Sequence, residues 1–151
     1  ASKTDASGVR PSGTPDLLVF TAATVDGKPF AGVTLLGRPA VLWFWAPSSA
    51  DCRAQAAETD KAAALWADRV AVVGVAGPGD PAAARDFVAA TRTAGFPHLA
   101  DGTGALWRRF EVDRPGTYVL LDAAGAVAFR GVLPRGEGLL GRLAALAPAS
   151  R

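Results

Sequence analysis

Residues 41–53 read V-L-W-F-W-A-P-S-S-A-D-C-R, from Val41 to Arg53, and this stretch decides the fold. Val41, Leu42, Trp43, Phe44 and Trp45 form a continuous apolar run, too short for a helix and rich in β-formers. Such a run predicts a strand buried on both faces, the central strand of an α/β sheet. Ala46 and Pro47 end it, because proline has no N–H to give to a ladder. Ser48, Ser49 and Asp51 then offer cap and first-turn residues for a helix over residues 50–67. Cys52 falls in that first turn, where the helix dipole favours a thiolate over a thiol. A strand, a tight turn and a cysteine at a helix N-terminus make sulfur chemistry the first hypothesis.

The sequence on either side completes an α/β domain. Residues 70–76 (V-A-V-V-G-V-A) predict a second buried strand, and Asp80 caps a helix over residues 81–91 that opens on Pro81. Strand, helix, strand, helix predicts a right-handed crossover between parallel strands. Upstream, residues 17–25 have strand character, and Asp26-Gly27 turns the chain before residues 28–30, a hairpin. Downstream, residues 96–100 are a short apolar piece, and residues 104–110 carry Leu106, Trp107 and Phe110 at helical spacing. Residues 117–122 and 126–130 read as strands joined by a tight turn, and so must be antiparallel. Residues 137–147 predict a closing helix with Leu139, Leu140, Leu143 and Leu146 on its apolar face. This order is that of the thioredoxin fold, an α/β architecture with a central mixed sheet and flanking helices, preceded here by an N-terminal β-hairpin extension. Residues 1–15 are rich in Ser, Thr, Gly and Pro and lack periodicity, which predicts a flexible lead. Residues 16–151 then form a single domain.

Composition narrows the chemistry. The 151 residues are 50% hydrophobic, enough for one core. Sixteen basic residues against 14 acidic ones leave a net charge of +2. Lysine occurs only at Lys3, Lys28 and Lys61, and Arg108-Arg109 is the one adjacent arginine pair, best read as a solvated helix face. No nucleic-acid footprint is present. A single cysteine rules out an internal disulfide, and with a single histidine, His98, it rules out a Cys/His metal cage. No metal and no cofactor is expected. No run approaches the roughly 18 apolar residues of a spanning helix, and the first residues lack a signal-peptide pattern. Composition alone allows either a processed exported protein or a cytosolic one.

The segment around Cys52 resembles the active-site region of the secreted thioredoxin-like TlpA/ResA/DsbE group, W-A-P-W-C-x-x-C-R. It is most similar to actinobacterial DsbE-like proteins, whose preceding strand likewise reads V-L-W-F-W-A-P. The hairpin fits the group's F-x-x-x-x-x-D-G-K-x-F from Phe20 to Phe30. The resemblance covers residues 17–147. It implies that Cys52 is the resolving cysteine and that Ser49 stands at the attacking position. It also implies that Arg114-Pro115 is a cis peptide facing the turn, with Trp45, Pro47, Ser48, Arg114 and Gly116 binding substrate. Arg114 would place a positive charge near the sulfur and favour a thiolate. Export is implied, with room for a membrane tether outside the chain. The implied partners are protein thiols and disulfides or an extended peptide, met by a monomer.

The departure from the family is the S-A-D-C in place of C-x-x-C. Disulfide exchange needs a thiolate to attack and a second thiol to resolve the mixed disulfide. A serine oxygen is not ionised near neutral pH and makes no comparable bond to sulfur. Redox turnover of the chain as written is therefore expected to be weak or absent. Two readings follow: a thiol–disulfide oxidoreductase stopped at Ser49, or a non-catalytic module that keeps the cleft to bind an extended peptide or partner protein. A one-cysteine peroxidase using Cys52 is a weaker third, since Trp45 stands where the P-x-x-x-T/S-x-x-C pattern needs proline and Cys52 reads as buried one turn into the helix, an inert small hydrophobe. A serine hydrolase is excluded by the absence of a G-x-S-x-G elbow. His98 reads as structural, at a strand edge, and the tryptophans as core or cleft-lining residues. Further departures at Ser48, at Ala50 and at Gln55-Ala56-Ala57, where the family has E-x-P, favour natural loss of the cysteine over an engineered Cys→Ser change.

Overall fold

The computed structural model describes residues 16–133 and 138–146. The chain runs β1 (Thr21–Thr24), β2 (Pro29–Ala31), β3 (Ala40–Trp45), α1 (Ala50–Leu65), β4 (Ala71–Ala76), α2 (Pro81–Thr91) and β5 (His98–Ala100). It continues through α3 (Ala105–Arg109), β6 (Thr117–Leu121), β7 (Val127–Gly131) and α4 (Gly138–Leu146). The strands form one seven-stranded sheet in the order β2-β1-β5-β4-β3-β6-β7.

Strand β3 is buried at every residue, as its unbroken apolar run requires. Because side chains alternate across a strand, Val41, Trp43 and Trp45 enter one core with α1, α2 and α4. Ala40, Leu42 and Phe44 enter the other, with Leu106, Trp107 and Phe110 around α3. The crossover predicted from strand–helix alternation is present: β3 and β4 pair in parallel from Ala40↔Ala71 to Trp45↔Ala76. On its other side β3 pairs antiparallel with β6, Phe44 opposite Thr117. Both β4 and β6 therefore bring flanking loops to the end of the sheet where β3 gives way to the turn at 46–49.

Local signals hold in detail. Asp80 Oδ1 accepts from the Ala82 N–H at 2.9 Å and caps α2, whose bounds are those read from the sequence. Asp26-Gly27 closes the hairpin with Gly27 at φ 85°. Two features differ. Residues Asp16–Leu18 form a 3-10 turn instead of opening the first strand. The hairpin is also no appendage, because β1 pairs with β5 and widens the main sheet. Residues 1–15, and the first and last positions of the predicted closing helix, Glu137 and Ala147, lie outside the described residues. Leu139 and Leu143 of that helix are fully buried against the core.

Candidate active site

The site is built at the junction of β3 and α1. Ser49 takes extended dihedrals (φ −88°, ψ 120°) and is the N-cap of α1. Its Oγ accepts from the Cys52 N–H at 3.3 Å, the cap-to-third-residue bond that serine makes at helix starts. The Ser49 N–H donates in turn to the Ala46 carbonyl at 3.1 Å, which closes the turn. Ser48 is exposed, Ser49 and Pro47 are half-buried, and Cys52 is 0% exposed. Position 49 thus meets solvent and position 52 does not.

Burial decides the protonation of Cys52. Desolvation pushes the thiol up from its ordinary range, and the contacts with Ser49 and the Ala46 backbone, which pull the other way, do not cancel it. The charged side chain that acts on the sulfur is Asp51, which raises the value further. The thiolate favoured by the dipole and by Arg114 is therefore not the resting form. Burial outweighs the helix dipole here because the dipole's effect on one group is small beside loss of hydration.

The second predicted segment reaches the same end of the sheet. The Gly116 N–H donates to the Phe44 carbonyl at 2.7 Å, one residue before the end of β3. Gly116, at φ 90°, lends its own carbonyl to Gln55 Nε2 at 3.0 Å, and Gln55 lies three residues beyond Cys52 on α1. Gln55 Oε1 accepts from the Trp43 indole at 2.8 Å. Arg114 and Pro115 are exposed, and the Arg114 carbonyl accepts from Thr117 Oγ1 at 2.8 Å. Beside them lies an open groove of about 280 Å³ between residues 111–114 and residues 130–132. Arg130 and Glu111 pair at 3.5 Å in this region, both well exposed.

Trp45 is 0% exposed, stacked on Phe87 at 4.3 Å. Its side chain therefore shapes the turn from below. His98 is likewise buried, at the start of β5, and accepts from the Trp45 indole at 3.1 Å. Two residues of the site were not singled out as such in the sequence. Gln55 was visible only as a departure from E-x-P, although its place three residues after Cys52 puts both on one helix face. Arg130 carried no local signal, because its proximity to Arg114 arises from the β6–β7 pairing.

A mixed sheet whose central strand ends in a capped helix start, faced by a loop from the antiparallel pair, defines a thioredoxin fold. Residues 15–130 match the AhpC/TSA family, and the chain belongs to that family. It is 38% identical over 112 residues to soluble secreted antigen MPT53 of Mycobacterium tuberculosis and of Mycobacterium bovis. That alignment covers 74% of this chain and 64% of theirs, so the chain spans just under two thirds of these relatives' length. The structure of M. tuberculosis DsbF in mixed oxidised and reduced forms is similar, with a TM-score of 0.82 and 37% identity over 89% of this chain and 99% of that one. A secreted M. tuberculosis disulfide oxidoreductase homologous to Escherichia coli DsbE gives a TM-score of 0.79 and 36% identity, covering 88% of this chain and all of the other.

Proposed function

We propose that this chain is an extracytoplasmic thiol–disulfide oxidoreductase domain of the DsbE type, arrested because Ser49 occupies the attacking position. The observation that carries the reading is the placement of Ser49. It is the solvent-reaching N-cap of α1, with Cys52 in the same helical turn. A thiol at position 49 would sit at a helix N-terminus, the setting that lowers thiol pKa. It would attack a substrate disulfide, form the mixed disulfide and expel one substrate thiolate. Cys52 would then lose its proton and displace the second, leaving an oxidised pair at 49 and 52 and a reduced substrate. With serine at 49 the first bond does not form, and Cys52 is enclosed and protonated.

Protein thiols and disulfides are the substrates this reading implies, approached by a monomer whose Pro115 shapes the peptide site. Pro47, Ser48, Arg114 and Gly116 would line or frame it, with Trp45 acting from beneath. Similarity to secreted mycobacterial relatives supports the extracytoplasmic location. The second reading, a non-catalytic module holding an extended peptide, is favoured by the open groove beside Arg114 together with the enclosed thiol. A one-cysteine peroxidase is disfavoured, since peroxide must reach a thiolate and Cys52 offers neither access nor charge.

Insulin reduction by the chain and by Ser49→Cys separates the two. Turnover by Ser49→Cys with an inert parent supports the arrested enzyme; two inert proteins would transfer the assignment to the binding module.

A further inference from the structure

Trp45 and His98 form a buried pair beneath the turn that carries Ser48 and Ser49. The Trp45 indole N–H lies 3.1 Å from His98 Nδ1. An indole nitrogen only donates, so Nδ1 must be the acceptor and the ring proton sits on Nε2. Nε2 then donates to the Thr93 carbonyl at 2.7 Å. Gly74 makes this pairing sterically feasible, because a Cβ there would overlap both His98 Nδ1 and the indole nitrogen.

From Trp45 the contacts continue outward. Its ring is stacked on Phe87, 4.3 Å between centroids and 16° between planes. The Arg53 guanidinium lies over Phe87 at 5.2 Å, and its Nη2 donates to the Pro47 carbonyl at 3.4 Å. Pro47 lies inside the turn that the Ser49 N–H closes on the Ala46 carbonyl. A contiguous set of contacts thus runs from the chain's single histidine to the backbone of residues 47–49.

We propose that His98 is the positioning residue for the 47–52 turn, holding it through Trp45, Phe87 and Arg53, and that protonation of His98 releases it. The chemistry is a donor–acceptor conflict: once Nδ1 carries a proton, two donors face each other and the Trp45 bond is lost. The groups around His98 set when this occurs. Burial among Trp43, Trp45, Phe96 and Gly74 opposes the imidazolium, whereas Asp26 in the hairpin turn and the Thr93 carbonyl favour it. The nearest cation on α2 is Arg85, which donates to the Val25 carbonyl while Val25 N–H donates to the His98 carbonyl. Burial prevails, and His98 stays neutral below the ordinary histidine range. The inference rests on reading the 47–52 turn as the working face and names its regulation: held near neutral pH, loosened in acid.

The test is a pH titration of the unmodified protein by ¹H–¹⁵N spectra from about pH 8 to about pH 3, which runs past the span in which exposed histidines titrate because burial holds His98 below it. The Trp45 indole resonance and the amides of Ser48, Ser49 and Arg53 should move with one shared midpoint. His98→Gln keeps an acceptor for Trp45 and a donor for Thr93, and should abolish that transition without displacing the resonances seen at neutral pH. Phe87→Leu should leave the indole transition and remove it from the turn amides. Turn amides that stand still while the indole titrates, or that titrate unchanged in His98→Gln, would overturn the proposal. No turnover is read, so this result is independent of whether insulin reduction upholds the oxidoreductase reading.

Discussion

Gln55 Nε2 donates to the Gly116 carbonyl at 3.0 Å, joining residues 61 positions apart, and its Oε1 accepts from Trp43 at 2.8 Å. One buried side-chain amide therefore ties α1, β3 and the Pro115 loop together. Both its ends are used, the donating end on the loop and the accepting end on the strand. Gln55→Leu should strand the Trp43 N–H and the Gly116 carbonyl, at a cost of about 2–4 kcal/mol in urea unfolding. Gln55→Glu keeps the shape but loses the donor whenever the carboxyl is ionised. That variant should be most stable in acid and weaken as pH rises through its titration, the reverse of an ordinary paired carboxylate.

Gly74 tests the packing around the Trp45–His98 bond. Its missing side chain is the space the bond occupies. Gly74→Ala should destabilise the fold by about 2–3 kcal/mol, because the neighbours are the buried rings of His98 and Trp45, with little room to shift. Equal stability in urea would mean that the rings relax at no cost.

His98 should make stability fall in acid. Its folded value lies below its unfolded one, so the unfolded chain binds the extra proton first. The stabilisation is complete above the unfolded value, about 6.5, and is lost as pH drops toward the folded value. Urea midpoints measured across this range should decline toward acid in the parent. In His98→Gln the part of the decline due to the histidine should vanish.

Cys52 should behave in the opposite sense. Burial raises its folded value, so its contribution is complete below the unfolded value, about 8.5, and is lost as pH rises beyond it. Cys52→Ala removes that alkaline decline. In the parent protein, alkylation of Cys52 by iodoacetamide should be slow and should follow the opening of the fold. Rapid labelling under native conditions would contradict its enclosure.

Much of this architecture was readable from local pattern. The apolar run at 41–45 could be satisfied only by burial on both faces, and Asp80-Pro81 carries a cap and a first-turn residue in adjacent positions. The β6–β7 antiparallel pair followed from the length of its turn. What could not be read is non-local. Nothing in residues 17–25 says that β1 will pair with β5, because the choice depends on a three-residue strand more than 70 residues away. For Cys52 the sequence offers both a dipole-favoured thiolate and a thiol buried one turn into the helix, and only the assembled core decides for the second. The helix dipole is a property of the segment, whereas the burial that overrides it is supplied by the assembled core. That Ser49 and Cys52 share the first turn of α1 was legible; the Gln55 clamp that holds Gly116 beside them was not.

The central claim is that one missing sulfur at position 49 separates this site from a working dithiol. The measurement that tests it most directly is equilibration of Ser49→Cys with glutathione redox buffers, followed by counting free thiols. The account predicts that both thiols disappear together in a single two-electron transition, as an intramolecular disulfide between positions 49 and 52. A protein that keeps two free thiols in oxidised glutathione, or that takes up glutathione at position 49 without passing the bond to Cys52, would contradict it.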